Sequence, residues 1–146
     1  MPIKNKFSLK VPSNSQNESF VRTTVAAFAS RLDPTVEEIS DIKTAVSEAV
    51  TNCIVHAYKD EIGPIYINAE ITGNDLTVKI RDKGVGIENI KKAMEPLYTT
   101  AGDERAGLGF AVMESFCDNV KVTSKMGKGT VVTLKKHISV RYAAKM

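Results

Sequence analysis

The chain has 146 residues, 42% of them hydrophobic and 25% charged, which suits one globular domain and excludes disorder and collagen-like repeats. Twenty basic residues against 17 acidic ones leave a formal charge of +3, too little to make nucleic acid the main partner. No apolar run approaches the roughly 18 residues of a spanning helix, Met1 to Lys10 lacks the apolar core of a signal peptide, and two cysteines, Cys53 and Cys117, cannot build a disulfide framework. The expectation is a single cytoplasmic domain spanning residues 1–146, without membrane attachment.

Phe7, Leu9 and Val11 alternate with polar residues and predict a half-buried strand that Pro12 ends. Ser15-Gln-Asn-Glu18 has the spacing of a capping box, followed by Val21, Val25, Phe28 and Leu32 at helical spacing, so a first helix is expected to run to about Leu32. Asp33-Pro34 stops it. Thr35-Val-Glu-Glu38 is a second capping box, opening a long helix with Ile39, Ile42, Val46, Ala49, Val50, Cys53 and Ala57 on its apolar stripe. Ile65, Ile67, Ala69 and Ile71 then alternate, Gly73-Asn74 offers a turn, and Leu76, Val78 and Ile80 alternate again, which predicts a hairpin.

Asp82-Lys-Gly-Val-Gly86 breaks that pattern ahead of a short helix expected around residues 90–97. The stretch from Tyr98 to Ala106 has no periodicity and ends at Gly107-Leu-Gly109. Phe110, Met113 and Phe116 mark a further helix. Val120 and Val122 begin a strand, Gly127-Lys-Gly129 turns it, and Thr130 to Leu134 returns. Grouped helices between antiparallel pairs predict an α+β fold: a two-layer sandwich with a mixed, mostly antiparallel sheet and helices on one face. Lys135 to Met146 is basic and is expected to fray, with Ile138, Val140 and Tyr142 able to add contacts.

Glu48, Asn52 and His56 recur every four residues on the long helix. At about 100° per residue they drift only about 40° at each step and line one edge of the buried stripe. The same spacing suits an ordinary amphipathic boundary or a carboxylate, an amide and an imidazole projecting into one cleft. Asp82 ends a strand, where its carboxylate can accept from an amine, and Gly84 and Gly86 allow close backbone approach; an ordinary Asp-Gly turn reads the same way. Gly107-Leu108-Gly109 precedes a helix whose free N–H groups could hold phosphate. Gly127-Lys-Gly-Thr130 is most simply a hairpin turn. A P-loop is absent because Gly129 follows Lys128. Neither Gly84 nor Gly107 opens a complete dinucleotide fingerprint, since Asn89 and Val112 take the third glycine place. With His56 and His137 the only histidines, and the cysteines far apart in sequence, a zinc cage is not expected; Cys53 and Cys117 read as core. A G-x-S-x-G nucleophile elbow is missing as well.

Taken in order, Glu48-Ala-Val-Thr-Asn52, Asp82-x-Gly84-x-Gly86, Gly107-Leu-Gly109 and Gly127-x-Gly129-Thr130 resemble the Bergerat ATP-binding fold of gyrase, the 90-kilodalton heat-shock chaperone, histidine kinases and MutL-type repair proteins. Ser47 to Tyr58 is similar to the anti-sigma serine kinases. Ser15 to Phe20, Thr24 to Phe28 and Leu32 to Thr35 resemble their sporulation branch, so the likeness covers nearly the whole chain.

The resemblance implies a protein serine kinase that uses ATP and Mg²⁺, inhibits a sporulation sigma factor and phosphorylates a serine of an anti-anti-sigma factor, as a homodimer. It makes Glu48 the base that takes the serine proton and Asn52 the Mg²⁺ ligand. Asp82 becomes the acceptor for the adenine amine with Thr130 beside it, and Gly84 and Gly86 the pocket wall. Gly107, Leu108 and Gly109 would form the phosphate cradle, and residues 98–106 the ATP lid, with Arg105 as a phosphate contact. The role of His56 stays open, and the Lys83 side chain is expected to face solvent. Glu18 and Arg22, four apart on the first helix, form either a solvated pair or the partner surface. The rival readings are a histidine kinase catalytic domain, for which neither histidine sits in a suitable helical hairpin, and a nucleotide-gated sigma-binding module without kinase activity, which would not need a base at Glu48.

Overall fold

Strict alternation builds the sheet. In strand β2, Pro64–Thr72, the residues Ile65, Ile67, Ala69 and Ile71 are all buried, while the side chains between them face the other side. The computed structural model describes residues 4–90, 94 and 109–139. In these, β1 (Lys4–Pro12) pairs with β2, and β2 turns through Gly73, at φ +61°, into β3 (Asp75–Asp82). β4 (Asn119–Lys125) and β5 (Gly129–His137) form a second hairpin, and β5 lies beside β3. The strand order is β1-β2-β3-β5-β4. Expected to be mixed and mostly antiparallel, the sheet is antiparallel at every pairing of the described strands.

Among the described residues, three helices cover one sheet face: α1 (Gln16–Ala29), α2 (Val36–Asn52) and α3 (Phe110–Phe116). Val21 and Val25 of α1, Val46 and Val50 of α2 and Phe110 and Met113 of α3 are at most 1% exposed and join Ile65, Ile67, Val78 and Ile80 in one core. Each such aliphatic or aromatic side chain contributes roughly 1.5–3 kcal/mol on burial. No helix among the described residues is long and apolar enough to cross a membrane.

The two capping boxes have different outcomes. At α2 the Thr35 hydroxyl accepts from the Glu38 N–H at 3.0 Å and the Glu38 carboxylate accepts from the Thr35 N–H at 2.9 Å, as the spacing predicts. At α1 the Ser15 side chain makes no capping bond, and its backbone is already helical. Glu18 instead accepts from Arg22 Nε at 2.8 Å, because a charged partner one turn along competes with the backbone. α1 itself closes at Ala29, and the turn to Leu32 tightens to a 3₁₀ helix before Asp33, which takes a left-handed conformation at φ 53°.

The C-terminal end does not fray from Lys135 as expected, while Ile138 adds the contacts its side chain allowed. Residues 135–137 extend β5 and Ile138 is fully buried, held by its N–H on the Asn74 carbonyl and by the Asn74 side-chain amide on its own carbonyl. Ser139 donates twice to the Glu38 carboxylate, from its N–H at 2.9 Å and its hydroxyl at 2.8 Å. Val140 and Tyr142 lie outside the described residues, as does most of the short helix expected at 90–97, where Met94 N–H bonds the Ile90 carbonyl.

Candidate functional site

The end of α2 does not continue as an α-helix. From Cys53 to Ala57 it widens into a π turn, with Tyr58 N–H reaching back to the Cys53 carbonyl at 3.2 Å. The expected regular stripe through Ala57 is therefore corrected: one turn is over-wide, a distortion that recurs at functional sites. The wide turn leaves the Ala57 carbonyl available to the Asp82–Gly86 loop, and Val85 N–H takes it at 3.1 Å. A Cβ on Gly84 would overlap the Ala57 carbonyl oxygen, so the glycine permits this approach. Gly86, at φ +82°, lies against the Lys125 carbonyl, and Gly127 N–H bonds the Val85 carbonyl at 2.9 Å.

These contacts wall a cavity of ≈ 440 Å³ between α2, the loop after β3 and the β4–β5 hairpin. Asn52, Cys53, Asp82 and Thr130 line it together with the apolar Val85, Ile87, Phe110 and Val132. A mostly apolar wall with a few convergent polar groups is the usual lining of a small-molecule site. His56 lines the same space and is half-buried.

Asp82 is the polar anchor of this cavity. The carboxylate is 6% exposed; Oδ1 accepts from Gly84 N–H at 2.9 Å and Oδ2 from the Cys53 thiol at 3.6 Å. Burial pushes its pKa above the ordinary aspartate value, while the bonds from Gly84, Cys53 and the Thr130 backbone pull the other way. Thr130 Oγ1 lies 2.8 Å from Ser124 Oγ, and Ser124 already donates its hydroxyl hydrogen to the Gly129 carbonyl at 3.0 Å. One hydrogen cannot serve both, so Thr130 donates to Ser124 and keeps lone pairs toward the cavity. The Lys83 N–H bonds the Tyr58 hydroxyl at 2.6 Å, and its exposed ammonium stands 5.3 Å from the Tyr66 ring centroid, away from the cavity as expected.

Glu48, half-buried one turn before Asn52, reaches the start of α3. A Cβ on Gly109 would overlap its Oε2. Gly109 opens α3 at φ +69° and its carbonyl accepts from Met113 N–H at 2.9 Å. The structure thus brings together Glu48, Asn52, Asp82, Gly84, Gly86, Gly109 and Thr130. Arg105, Gly107, Leu108 and the expected lid at 98–106 lie outside the described residues. Glu18 and Arg22 are apart from the cavity, but Arg22 lines a shallow cleft with Lys43, Ser47 and Glu48. Cys53, Tyr58 and the Ala57 carbonyl were missed as site elements. The one sequence signal for them was adjacency, since Cys53 follows Asn52 and Ala57 follows His56, each about 100° further round into the apolar stripe.

Residues 11–136 match the histidine kinase-like ATPase domain family. The chain is 58% identical over 139 residues to a Thermoanaerobacter protein named anti-sigma F factor, covering 94% of this chain and 97% of that one. It is 57% identical, with the same coverage, to the anti-sigma F factor of Clostridium acetobutylicum. Among solved structures it resembles the RsbU and RsbW domains of a Mycobacterium tuberculosis protein, with TM-score 0.66 and 17% identity over 92% of this chain and 32% of that one. It also resembles the catalytic domain of the histidine kinase ThkA, with TM-score 0.58 and 15% identity over 93% of this chain and 96% of that one. At those identities the structural likenesses concern the fold alone.

Proposed function

The chain belongs to the histidine kinase-like ATPase domain family and, within it, to the anti-sigma F factors, and we propose that it is an ATP-dependent protein serine kinase that also holds a sigma factor. Its protein substrate is an anti-anti-sigma factor, and it works as a cytoplasmic homodimer in sporulation control. The observation that carries the kinase reading is the meeting of Glu48 with Gly109 beside a cavity anchored by Asp82. A binding module has no use for a carboxylate at that place.

In this reading Asp82 accepts from the exocyclic amine of adenine and Thr130 accepts or relays beside it, while Val85, Ile87 and Val132 exclude water from the ring. Gly109 at the start of α3, with Gly107 and Leu108 just before it in sequence, is assigned to the phosphates, with Arg105 adding charge. Glu48 takes the hydroxyl proton of the acceptor serine as the oxygen attacks phosphorus. Holding the two reactants in line is the greater part of such catalysis.

Asn52 suits a magnesium ligand. It is a neutral oxygen donor, 9% exposed, in the cavity wall one turn from Glu48. Among the described residues there is no group of three His, Cys, Asp or Glu side chains able to hold a metal ion. A cation here would take few ligands from the protein and the rest from phosphate and water, which is the habit of Mg²⁺ with nucleotides. It would supply neutralisation of the phosphate charge.

Arg22 and Glu18 are assigned to the partner surface, since the Arg22 cleft leads to Glu48 and so to where an acceptor serine must arrive. Incubation with γ-labelled ATP and an anti-anti-sigma protein tests the reading. Acid-stable phosphoserine on that protein is expected. Acid-labile phosphohistidine, or nucleotide binding without transfer, would replace it by a histidine kinase or a gated binding module.

A further inference from the structure

We propose that Cys53 is a positioning residue for Asp82, whose thiol holds the carboxylate in the orientation that selects a purine bearing an exocyclic amine. The inference rests on the reading of Asp82 as the adenine acceptor and extends it to a residue for which nothing above assigns a role.

Beside a backbone bond from Thr130, two donors from different elements hold the two oxygens of Asp82. Gly84 N–H, in the loop, holds Oδ1 at 2.9 Å, and the Cys53 thiol, at the first residue of the π turn, holds Oδ2 at 3.6 Å. The carbon–carboxylate torsion of an aspartate is broad, so a single donor leaves the plane of the group loosely set. A second donor on the other oxygen fixes it. Both side chains line the cavity, and Cys53 is only 2% exposed, so no bulk water replaces the thiol.

The thiol is suited to this because its S–H is a donor, whereas the carboxylate opposite it only accepts. The π turn sets its position, with the Cys53 carbonyl bonded to Tyr58 N–H and the Ala57 carbonyl bonded to Val85 N–H, which ties helix and loop together on either side of the pair.

Selectivity follows from donor–acceptor matching. Adenine offers N–H₂ at C6 to a fixed carboxylate, whereas hypoxanthine offers a carbonyl there, which the carboxylate repels. A carboxylate free to turn can instead seek the neighbouring N1–H of hypoxanthine. Loosening Asp82 therefore weakens ATP and narrows its advantage over inosine triphosphate.

The test titrates ATP and inosine triphosphate into the full chain and its variants Cys53→Ala, Cys53→Val, Cys53→Ser and Asp82→Asn, each checked by thermal melt. Loss of one modest hydrogen bond predicts that Ala and Val weaken ATP about two- to tenfold and shrink the ATP preference, while Ser restores both. If Ser behaves like Ala, the thiol fills space and the proposal falls. If all three cysteine variants match wild type while Asp82→Asn loses affinity, the proposal falls and the adenine reading stands. If Asp82→Asn itself binds ATP as wild type does, the reading beneath it fails, and the inference with it. The Val variant removes the donor without opening a void, so a poorly folding Ala variant does not remove the test.

Discussion

Glu48 and Gly109 are packed so closely that the glycine has no room for a side chain: a methyl group there would overlap the glutamate carboxylate. The helix that carries the proposed base thus meets the turn that opens the proposed phosphate cradle. Gly109 also has φ +69°, where a residue with a Cβ is strained.

Gly109→Ala is expected to cost about 1–2 kcal/mol of stability from the left-handed backbone alone. Its larger effect is on transfer, which should fall about 10²-fold as Glu48 is displaced. ADP binding, anchored at Asp82, should change little. Melting curves, ADP titration and transfer rate on one preparation separate the three effects; an unchanged rate would show that the Glu48–Gly109 packing is not used.

Asp82→Asn puts an amide N–H₂ where the adenine amine seeks an acceptor. A bond to a charged group contributes about 1.5–3 kcal/mol, so ATP affinity should fall about tenfold or more. The raised pKa of Asp82 adds two pH dependences. Only the carboxylate accepts the amine, so ATP affinity should rise as pH climbs through the raised folded value. The native state binds that proton more tightly than the unfolded chain, so the Asp82 contribution to stability declines over the window from the ordinary aspartate value up to the folded one. Asp82→Asn should lack both trends, as calorimetry against pH would show.

Glu38 titrates in the opposite sense. Burial pushes its pKa up, but hydrogen bonds from Thr35 and from the Ser139 N–H and hydroxyl outweigh this and bring it to about 2. Its stabilisation is therefore full above the ordinary glutamate value and is lost as pH falls from there toward about 2. Glu38→Gln should cost on the order of 1 kcal/mol at neutral pH and flatten the acid limb of the stability curve. An unaltered acid limb would remove Glu38 as the clasp between α2 and the end of β5.

Arg22→Glu reverses the charge beside Glu18 without touching core or cavity. Pull-down of the sigma factor and of the anti-anti-sigma factor should weaken, while ATP affinity stays within about twofold. Undiminished pull-down would leave Arg22 and Glu18 as an intrahelical pair worth only about 0.2–0.5 kcal/mol.

Much of this architecture is legible because period and burial are the same fact: Ile65 to Ile71 alternate and are buried on one face, and Val46 and Val50 keep helical spacing and face the sheet. Three features were not legible. Glu18 could bond backward to Ser15 or forward to Arg22, and only the folded helix decides between them. The π turn at Cys53–Ala57 differs from an α-helical turn by a single residue, too little to disturb a hydrophobic pattern. Ile138 lies beyond the last alternating strand residues, and its burial, with Asn74 bonding its backbone, depends on contacts far away in sequence. Within the proposed site, spacing and resemblance point to Glu48, Asn52 and Asp82. The Cys53–Asp82 pair was not, since residues 29 apart meet only through the sheet.

The most direct measurement is the rate of phosphate transfer from γ-labelled ATP to the anti-anti-sigma serine by wild type and by Glu48→Gln, with ATP titrated into the same two samples. The amide keeps the size and hydrogen bonding of the glutamate but cannot take a proton. The account predicts ATP binding within about twofold of wild type and transfer slower by roughly 10²–10⁴-fold. Equal transfer by the two proteins would contradict it.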